Sequence, residues 1–442
     1  MASTLALGTS SYQLLEELGG QAQLTVKTTG SSTQIRATGT DISDLGINTT
    51  SKISAASGTY VGATPTGTEP TNFQTSSNIN VFGSLNDFQA NLGGSGDTLS
   101  IFGDINGSRI SLDNTPTSGS VAGGDGSDLL SVSGSIEGSG DQFENEIWAG
   151  GGNDTIRIAG SIQNSTVFLG DGDDYFSAGE GTNVHVLGGD GNDYVQFRKS
   201  SEDTRINLGN GFDTVVLSGL EGSSYSGTAA VEMGGNNDSL VLGSGNYDNA
   251  QFNTGSGRDT VSIASNSYFT TSNFNLDGFS ETGDLRFVGG DKLTSGQGNR
   301  FASTSFSSSN IGGDSLVFGN TTTFSEKSII SLGDGADSLV FGSNSTLIDS
   351  YILMGGGSDT LVFGAGTSFN NTIINLGGNT GLDMIQFNAS TGTSLKGVTV
   401  IGANNGDFLY IGATSYGYSS TGYNNNNIAG FYNATTKFDF SA

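Results

Sequence analysis

Aspartates recur in this sequence at one fixed place, after two glycines separated by a single residue. Four consecutive segments between residues 150 and 217 read GGGNDTIRI, GDGDDYFSA, GGDGNDYVQF and GNGFDTVVL. Their aspartates are 20, 19 and 20 residues apart. Alternating glycines allow a tight turn with positive φ and expose its carbonyl oxygens, and the aspartate adds a carboxylate. Such oxygens suit Ca²⁺, which takes about six to eight of them, and two stacked turns would supply that number.

The elements that position these turns follow from the residues around each aspartate. Apolar side chains stand two and four residues after it, as in Ile156/Ile158, and five and seven residues before it, as in Leu169/Val167. Alternation with period two indicates a strand with one buried face. Each unit therefore predicts two short strands, joined by the Gly-x-Gly-x-Asp turn at one corner and by a more variable loop at the other. Repetition of the unit predicts an all-β, right-handed parallel β-solenoid with coils of about 20 to 25 residues.

The repeat divides the chain into five regions. Residues 1–90 are read as an N-terminal cap or attachment region, with strands over 21–90 and one short helix at 12–18 (YQLLEEL). The solenoid occupies 91–264, is interrupted over 265–312 by an irregular insertion or loop-rich coils, and continues over 313–411. Residues 412–442 change to an Asn-rich and aromatic composition and are read as a C-terminal cap.

Composition narrows the classes of function. The 442 residues include 15 basic and 43 acidic side chains, a net charge of −28, which disfavours nucleic acid and anionic membranes as partners and favours cations. The chain has no cysteine, so disulfides and thiolate metal sites are excluded. No apolar run is long enough to cross a bilayer, and the N-terminus lacks the features of a cleaved signal peptide.

The turn sequence resembles the nonapeptide of the repeats-in-toxin (RTX) family, G-G-x-G-x-D-x-U-x, in which U is a large apolar residue. GGDGSDLLS at 123–131 and GGDGNDYVQ at 188–196 match it at every fixed position. The resemblance implies a β-roll that binds Ca²⁺ between successive coils. It implies these aspartate ligands: Asp128, Asp154, Asp174, Asp193, Asp213, Asp238, Asp259, Asp337 and Asp359. It implies these glycines as carbonyl ligands: Gly150, Gly152, Gly170, Gly172, Gly189 and Gly191. The pattern departs from the family before Asp97, Asp238 and Asp383, and only one corner of each coil carries it.

An alternative for the turns needs no metal. Gly-Asx turns also build β-solenoids in which the aspartate accepts hydrogen bonds from backbone N–H groups in the bend. Catalysis has less support, and we expect no enzyme activity. The single histidine, His185, and the single tryptophan, Trp148, are both predicted to face outward from a strand. A local basic group is interpreted as surface charge or a sugar site: Arg157, Arg198, Lys199 and Arg205.

The sequence favours a secreted, calcium-stabilised structural protein that assembles with itself at the cell surface, as a surface-layer, sheath or filament subunit. The final residues, KFDFSA, are similar to the C-terminal signals with which RTX proteins leave the cell by type I secretion. We therefore expect an extracellular location. One alternative is an adhesin or virion fibre that binds glycans such as cell-surface polysaccharide. The other is an extracellular polysaccharide-active enzyme.

Overall fold

A computed structural model of the chain describes most of the predicted solenoid. It covers residues 126–138, 145–222, 229–276, 291–308, 312–377, 381–388, 397–404 and 406–412. It also covers shorter segments between 96 and 112 and the backbone of strands between 3 and 91 and at 414–417. The described residues form an all-β parallel β-solenoid, as predicted, and contain no helix. Within these ranges, accordingly, no helix has the length and apolar character needed to span a bilayer.

The chain separates into two compact units, Met1–Asp213 and Thr214–Ala442. The strands of the first unit are β1 Ser3–Leu7, β2 Ser10–Leu14, β3 Gln23–Thr29, β4 Ser32–Thr38, β5 Ser51–Ala56, β6 Gly58–Ala63, β7 Asn78–Phe82, β8 Leu85–Asn86, β9 Gln89–Asn91, β10 Thr98–Phe102, β11 Ile105–Asn106, β12 Arg109–Ser111, β13 Leu129–Val132, β14 Ile136–Glu137, β15 Asn145–Gly151, β16 Thr155–Ile158, β17 Ser161–Asp171, β18 Tyr175–Ala178, β19 Glu180–Asp190, β20 Tyr194–Phe197, β21 Ser201–Glu202 and β22 Arg205–Asn210.

The strands of the second unit are β23 Thr214–Leu217, β24 Leu220–Glu221, β25 Ala229–Glu232, β26 Ser239–Leu242, β27 Asn246–Asp248, β28 Ala250–Asn253, β29 Thr260–Ile263, β30 Tyr268–Thr270, β31 Asn273–Asn275, β32 Lys292–Ser295, β33 Arg300–Ala302, β34 Ser305–Ser307, β35 Ser315–Phe318, β36 Thr323–Ser325, β37 Ile329–Ser331, β38 Asp334–Gly335, β39 Ser338–Phe341, β40 Thr346–Ile348, β41 Tyr351–Leu353, β42 Gly356–Gly357, β43 Thr360–Phe363, β44 Ser368–Asn370, β45 Thr372–Asn375, β46 Met384–Phe387, β47 Val398–Ile401, β48 Phe408–Ile411 and β49 Thr414–Gly417.

Two parallel sheets build the first unit. The strands that follow the aspartates, β10, β13, β16, β18 and β20, pair in register, so that Ile156 stands beside Phe176 and Phe176 beside Val195. The strands that precede the aspartates, β12, β15, β17, β19 and β22, form the second sheet. Alternate side chains of both sheets are buried, which confirms the predicted inward positions. We call these sheets the first and the second sheet in both units.

The N-terminal region differs in part from the prediction. The strand Ser10–Leu14 stands where the helix was predicted to begin, because it pairs antiparallel with Ser3–Leu7, and residues 15–18 lie outside the described part. The hairpins β3–β4 and β5–β6 agree with the strands predicted over 21–90. Parallel pairing already begins where β4 meets β7, upstream of the predicted solenoid start at residue 91.

The second unit repeats the same two sheets with a core rich in phenylalanine. Phe318, Phe341, Phe363 and Phe387 occupy equivalent positions on β35, β39, β43 and β46, with neighbouring ring centroids 5.0 to 5.5 Å apart. Fully buried aromatic rings contribute the largest apolar areas of a core, and offset stacking adds to the stabilisation. The last parallel strand of the first sheet, β48, pairs antiparallel with β49, so parallel stacking of this sheet stops at β48. The rest of the predicted C-terminal cap lies outside the described residues.

Both sheets contain strands from the described parts of 265–312, the region predicted to be an irregular insertion or loop-rich coils. Strands β30 and β31 pair in parallel with β33 and β34, and β29 pairs with β32, so both sheets continue. The aspartate of this coil is Asp291, in the sequence VGGDKLTS, where no alternating glycine precedes it. The sequence pattern did not identify this coil because it required the complete glycine turn, although the strand that follows Asp291 retains the alternation.

Each regular coil also contains a third short strand, within the loop predicted to close the second corner. In the coil of Asp193 this strand is β21, and Asp203 follows it with φ of 48°. Left-handed residues recur at this corner, where Asn, Asp and other short polar residues tolerate the conformation. The next residue is commonly a buried Ser or Thr, such as Thr204, whose hydroxyl donates to the Glu202 carbonyl. The second corner therefore has a recurring, ordered structure and is not an irregular loop.

Candidate metal-binding turns

The motif aspartates form a continuous ladder along the first corner of each unit, which we call the aspartate ladder. Within each unit, the backbone N–H of one aspartate donates to the Oδ1 atom of the aspartate one coil later, at 2.7 to 3.0 Å. In the first unit the ladder contains Asp128, Asp154, Asp174, Asp193 and Asp213. In the second unit it contains Asp238, Asp259, Asp291, Asp314, Asp337, Asp359, Asp383 and Asp407. Because these carboxyl groups are only 1 to 4% exposed, they are part of the interior.

The structure therefore brings every predicted aspartate ligand into one of two columns. Asp238 and Asp383, where the sequence departs from the family pattern, occupy the same position as the others. The columns also contain Asp314, Asp383 and Asp407, which were not among the predicted ligands, and Asp291, which the turn pattern missed altogether. For Asp291, the preceding Gly290 and the alternation after it were the available signal. Asp97 lies outside the described residues.

The predicted turn glycines also form columns, and their backbone explains why glycine is needed. Gly150, Gly170 and Gly189 lie in register on neighbouring strands, with φ between 116° and 134°. A Cβ atom added at Gly170 would collide with the carbonyl oxygen of Gly150, and one at Gly189 with that of Gly170. The same holds for Gly172 and Gly191 against the coil before each. These carbonyls thus point along the stack towards the next coil.

The second carboxyl oxygen, Oδ2, is the atom of the ladder aspartates that could bind a metal ion. The Oδ2 atoms of Asp174, Asp193, Asp359 and Asp383 are buried and accept no hydrogen bond. A buried polar atom normally has a partner, and leaving one unsatisfied costs about 1 to 3 kcal/mol. Either a proton on the carboxyl group or a cation beside it would lower that cost. The turns thus fit both the metal-free interpretation, through Oδ1, and the calcium interpretation, through Oδ2.

Burial raises the pKa of these carboxyl groups far above the ordinary range. The pKa of Asp174 rises to about 7 and that of Asp193 to about 8, mainly because burial disfavours the charged form. The backbone N–H donor opposes this shift, and the neighbouring carboxylates Asp171, Asp173 and Asp213 add to it. The pKa values of Asp213 and Asp383 rise to about 6 for the same main reason. Without a cation, part of the ladder is therefore protonated near neutral pH.

A second, exposed ladder of side chains runs beside the turns of the first unit. Asn153 Oδ1 accepts the backbone N–H of Asp173 at 3.0 Å, and Asp173 Oδ1 accepts that of Asn192 at 2.8 Å. Asn192 Oδ1 in turn accepts the N–H of Phe212. Across the described residues no group of three or more His, Cys, Asp or Glu side chains is placed to hold a metal ion. Any ion in these turns would therefore depend on backbone carbonyls in addition to carboxylates, as Ca²⁺ commonly does.

The other predicted residues lie on the outer faces of the sheets. His185 is half-buried on β19, beside Thr166 and Arg205. Trp148 faces outward as predicted, stacks on Phe168 with ring centroids 3.7 Å apart, and donates from Nε1 to Glu146 at 3.4 Å.

The predicted basic group is divided between the two sheets. Arg157 belongs to the first sheet and lies 5.2 Å from the centre of the Tyr175 ring, whereas Arg205 belongs to the second. Arg198 donates to the Ile158 and Ala159 carbonyls and to Ser177 Oγ, which ties together successive coils. Because its guanidinium is held by the protein, Arg198 serves the fold more than a ligand.

No protein-family model, curated protein or solved structure matches this chain.

Proposed function

We propose that this chain is an extracellular structural protein, a β-solenoid that calcium stabilises along its aspartate ladder and that assembles with itself at a cell surface. The observation that supports it most is the set of buried Oδ2 atoms without hydrogen bonds in the glycine turns. Like charges about 5 Å apart repel by about 3 kcal/mol at an effective dielectric constant near 20. A divalent cation shared between neighbouring coils would replace this repulsion by attraction.

The residues that would hold the cation come from two consecutive turns. In the first unit, the Oδ2 atoms of Asp174 and Asp193 would supply carboxylate oxygens, and Gly170, Gly172 and Gly189 would supply backbone carbonyls. The cation would contribute charge neutralisation and cross-linking of coils, with no part in bond-breaking chemistry. Binding would release the protons that the raised pKa values keep on these carboxyl groups, so affinity should increase with pH.

Export follows naturally from this chemistry. The fold would be less stable where free calcium is scarce and more stable where it is abundant, which is compatible with type I secretion through the C-terminal residues 437–442. A protein of this kind would then associate laterally, since the antiparallel pairing of β49 with β48 interrupts the parallel stacking of the first sheet at that position. Surface-layer, sheath and filament subunits are the roles in which such association is the function.

Calcium titration of the purified chain tests the proposal. We expect EDTA to lower the β-sheet circular dichroism signal or the unfolding temperature, and Ca²⁺ to restore it better than Mg²⁺, which demands a stricter octahedral geometry. The double variant Asp174→Asn/Asp193→Asn should lose most of the calcium response of the first unit. Its matched control, Asp171→Asn/Asp190→Asn, changes exposed carboxylates of the same turns and should retain the response.

Two results would count against the proposal. Identical stability in EDTA and in calcium would remove the metal from it. Purified protein that stays monomeric by electron microscopy at high concentration, with calcium present, would remove self-assembly and leave glycan adhesion as the alternative.

A further inference from the structure

An apolar patch lies on the outer face of the second sheet in the second unit. Ile329, Tyr351 and Ile373 occupy equivalent positions on β37, β41 and β45, which pair in parallel register. Ile329 is 39% exposed and Tyr351 is 38% exposed, while Ile373 is half-buried. Adjacent strands are about 4.8 Å apart, so the three side chains form one row along the solenoid.

A second row lies two residues further along the same strands. It consists of Ser331, Leu353 and Asn375, in the same register and half-buried. None of the six outward side chains in the two rows is charged, although the chain as a whole carries a net charge of −28. Two copies of so acidic a protein repel each other least where the facing surfaces lack carboxylates.

The order of residues in both rows is symmetric about β41. Ile, Tyr and Ile make up the first row, and two polar residues flank Leu353 in the second. A two-fold axis along β41 and parallel to the face would place Ile329 opposite Ile373 of a second copy. The same axis would bring the two Tyr351 side chains together. Such self-complementarity is what an isologous dimer interface requires.

We propose that this patch is the contact surface for a second copy of the chain, in a two-fold dimer centred on Tyr351 and Leu353. The inference rests on the self-association in the proposed function and identifies the surface that begins it. Corner residues Lys327 and Asn371 are exposed beside the patch, Asp349 between them is half-buried, and the three would form its polar rim. An apolar centre with aromatic residues and a polar rim is the usual anatomy of a specific interface.

The experiment compares charge introduced into the patch with charge introduced elsewhere. Sedimentation should show wild-type protein as a dimer with twice the 45.1 kDa of one chain. Tyr351→Lys should weaken dimerisation by at least about tenfold, because a buried unpaired charge would lie at the centre. Val340→Lys is the control, since Val340 faces outward from the first sheet, and it should dimerise like the wild type.

Chemical cross-linking tests the geometry itself, and the natural chain has no cysteine to interfere. Packed sheets lie about 10 Å apart, beyond the reach of a disulfide, so a short bismaleimide is the appropriate reagent. Tyr351→Cys should cross-link to a dimer, and a mixture of Ile329→Cys and Ile373→Cys should cross-link better than either alone. Val340→Cys should not.

The outcomes separate this inference from the proposed function. Loss of the dimer in Tyr351→Lys with an unchanged calcium response in circular dichroism supports the inference. A monomeric wild type, or cross-linking that is equal for Tyr351→Cys and Val340→Cys, overturns it, whatever the calcium titration shows. If Tyr351→Lys fails to fold, cross-linking of the cysteine variants still decides.

Discussion

In the absence of calcium, the aspartate ladder should make the protein less stable as pH rises. A carboxyl group whose pKa is higher in the folded than in the unfolded state favours folding while it is protonated. Its contribution is complete below the unfolded value of about 4 and is lost as pH rises through the folded value. For Asp193 the folded pKa is about 8, so the loss extends from about pH 4 to about pH 8.

The size of this effect can be estimated from the two most shifted groups. Asp174 and Asp193 have pKa values of about 7 and 8 against a reference of 3.8. A tenfold change in the acid dissociation constant corresponds to about 1.4 kcal/mol of free energy. The turns lie near solvent and the two groups interact, so we take about half of the full value, about 2 kcal/mol for each group by pH 7.

This change can be measured by urea unfolding in EDTA at about pH 4.5 and about pH 7.5, near the two ends of the titration. Trp148 fluorescence reports on the first unit. The variant Asp193→Asn keeps an oxygen acceptor for the Asp174 N–H group and removes one titrating carboxyl. It should be more stable than the wild type at the higher pH and show a shallower pH dependence. Asp190→Asn, at an exposed position in the same turn, is the control and should follow the wild type. Calcium should reverse the slope, because it binds the ionised form. An EDTA-treated wild type that becomes more stable with pH would refute the reasoning.

Two further predictions concern the fold. Gly189→Ala should lower the free energy of unfolding by about 3 kcal/mol or more, because the φ of Gly189 is 134° and the new methyl group would meet the Gly170 carbonyl. Gly151→Ala is the control and should lower it by less than about 1 kcal/mol, since aspartate occupies the equivalent position in the next two coils. Urea unfolding of the two variants compares them directly. Phe301→Ala should lower the free energy of unfolding by about 3 to 5 kcal/mol, since Phe301 is fully buried among Phe269, Phe306, Phe318 and Phe324. Phe212→Ala is the control and should change it by less than about 0.5 kcal/mol, because the Phe212 side chain is 59% exposed. Equal losses of stability in calorimetry would contradict the assigned core.

The parts of the fold that could be predicted are those in which sequence period and structure period coincide. Alternation on both sides of the aspartates specifies two strands, and the glycine turn specifies the corner between them. The third strand was missed because it is only two or three residues long, too short for a periodic signal. Its signature is a left-handed residue followed by a hydroxyl residue, as in Asp203-Thr204, Thr271-Ser272 and Asp349-Ser350. The helix predicted from local propensity at 12–18 was wrong over residues 12–14, because pairing with a neighbouring strand overrides the helical propensity there.

The candidate site, too, could be predicted only in part from the sequence. Sequence spacing placed the aspartates in one column, but it could not decide how the two oxygens of each carboxyl group are used. That depends on where the preceding coil's N–H group points, which only the stacking register determines. At Asp174, Asp193, Asp359 and Asp383 the ladder therefore satisfies one oxygen by hydrogen bonding and leaves the other buried without a hydrogen bond.

The hydrogen bonds of the aspartate ladder all run in one direction, so the two ends of a truncated stack are not equivalent. Each aspartate N–H depends on a carboxyl group that arrives later in the chain, and the series ends at Asp407, whose own N–H donates locally to the Asn404 carbonyl. Removing coils from the C-terminal side leaves a buried donor without an acceptor, whereas removing them from the N-terminal side exposes a carboxylate that water can solvate. During synthesis, in which the N-terminus emerges first, the most recently added coil has an aspartate N–H without its acceptor until the next coil docks. Within each unit, the hydrogen bonds of the ladder are therefore completed from the C-terminal side.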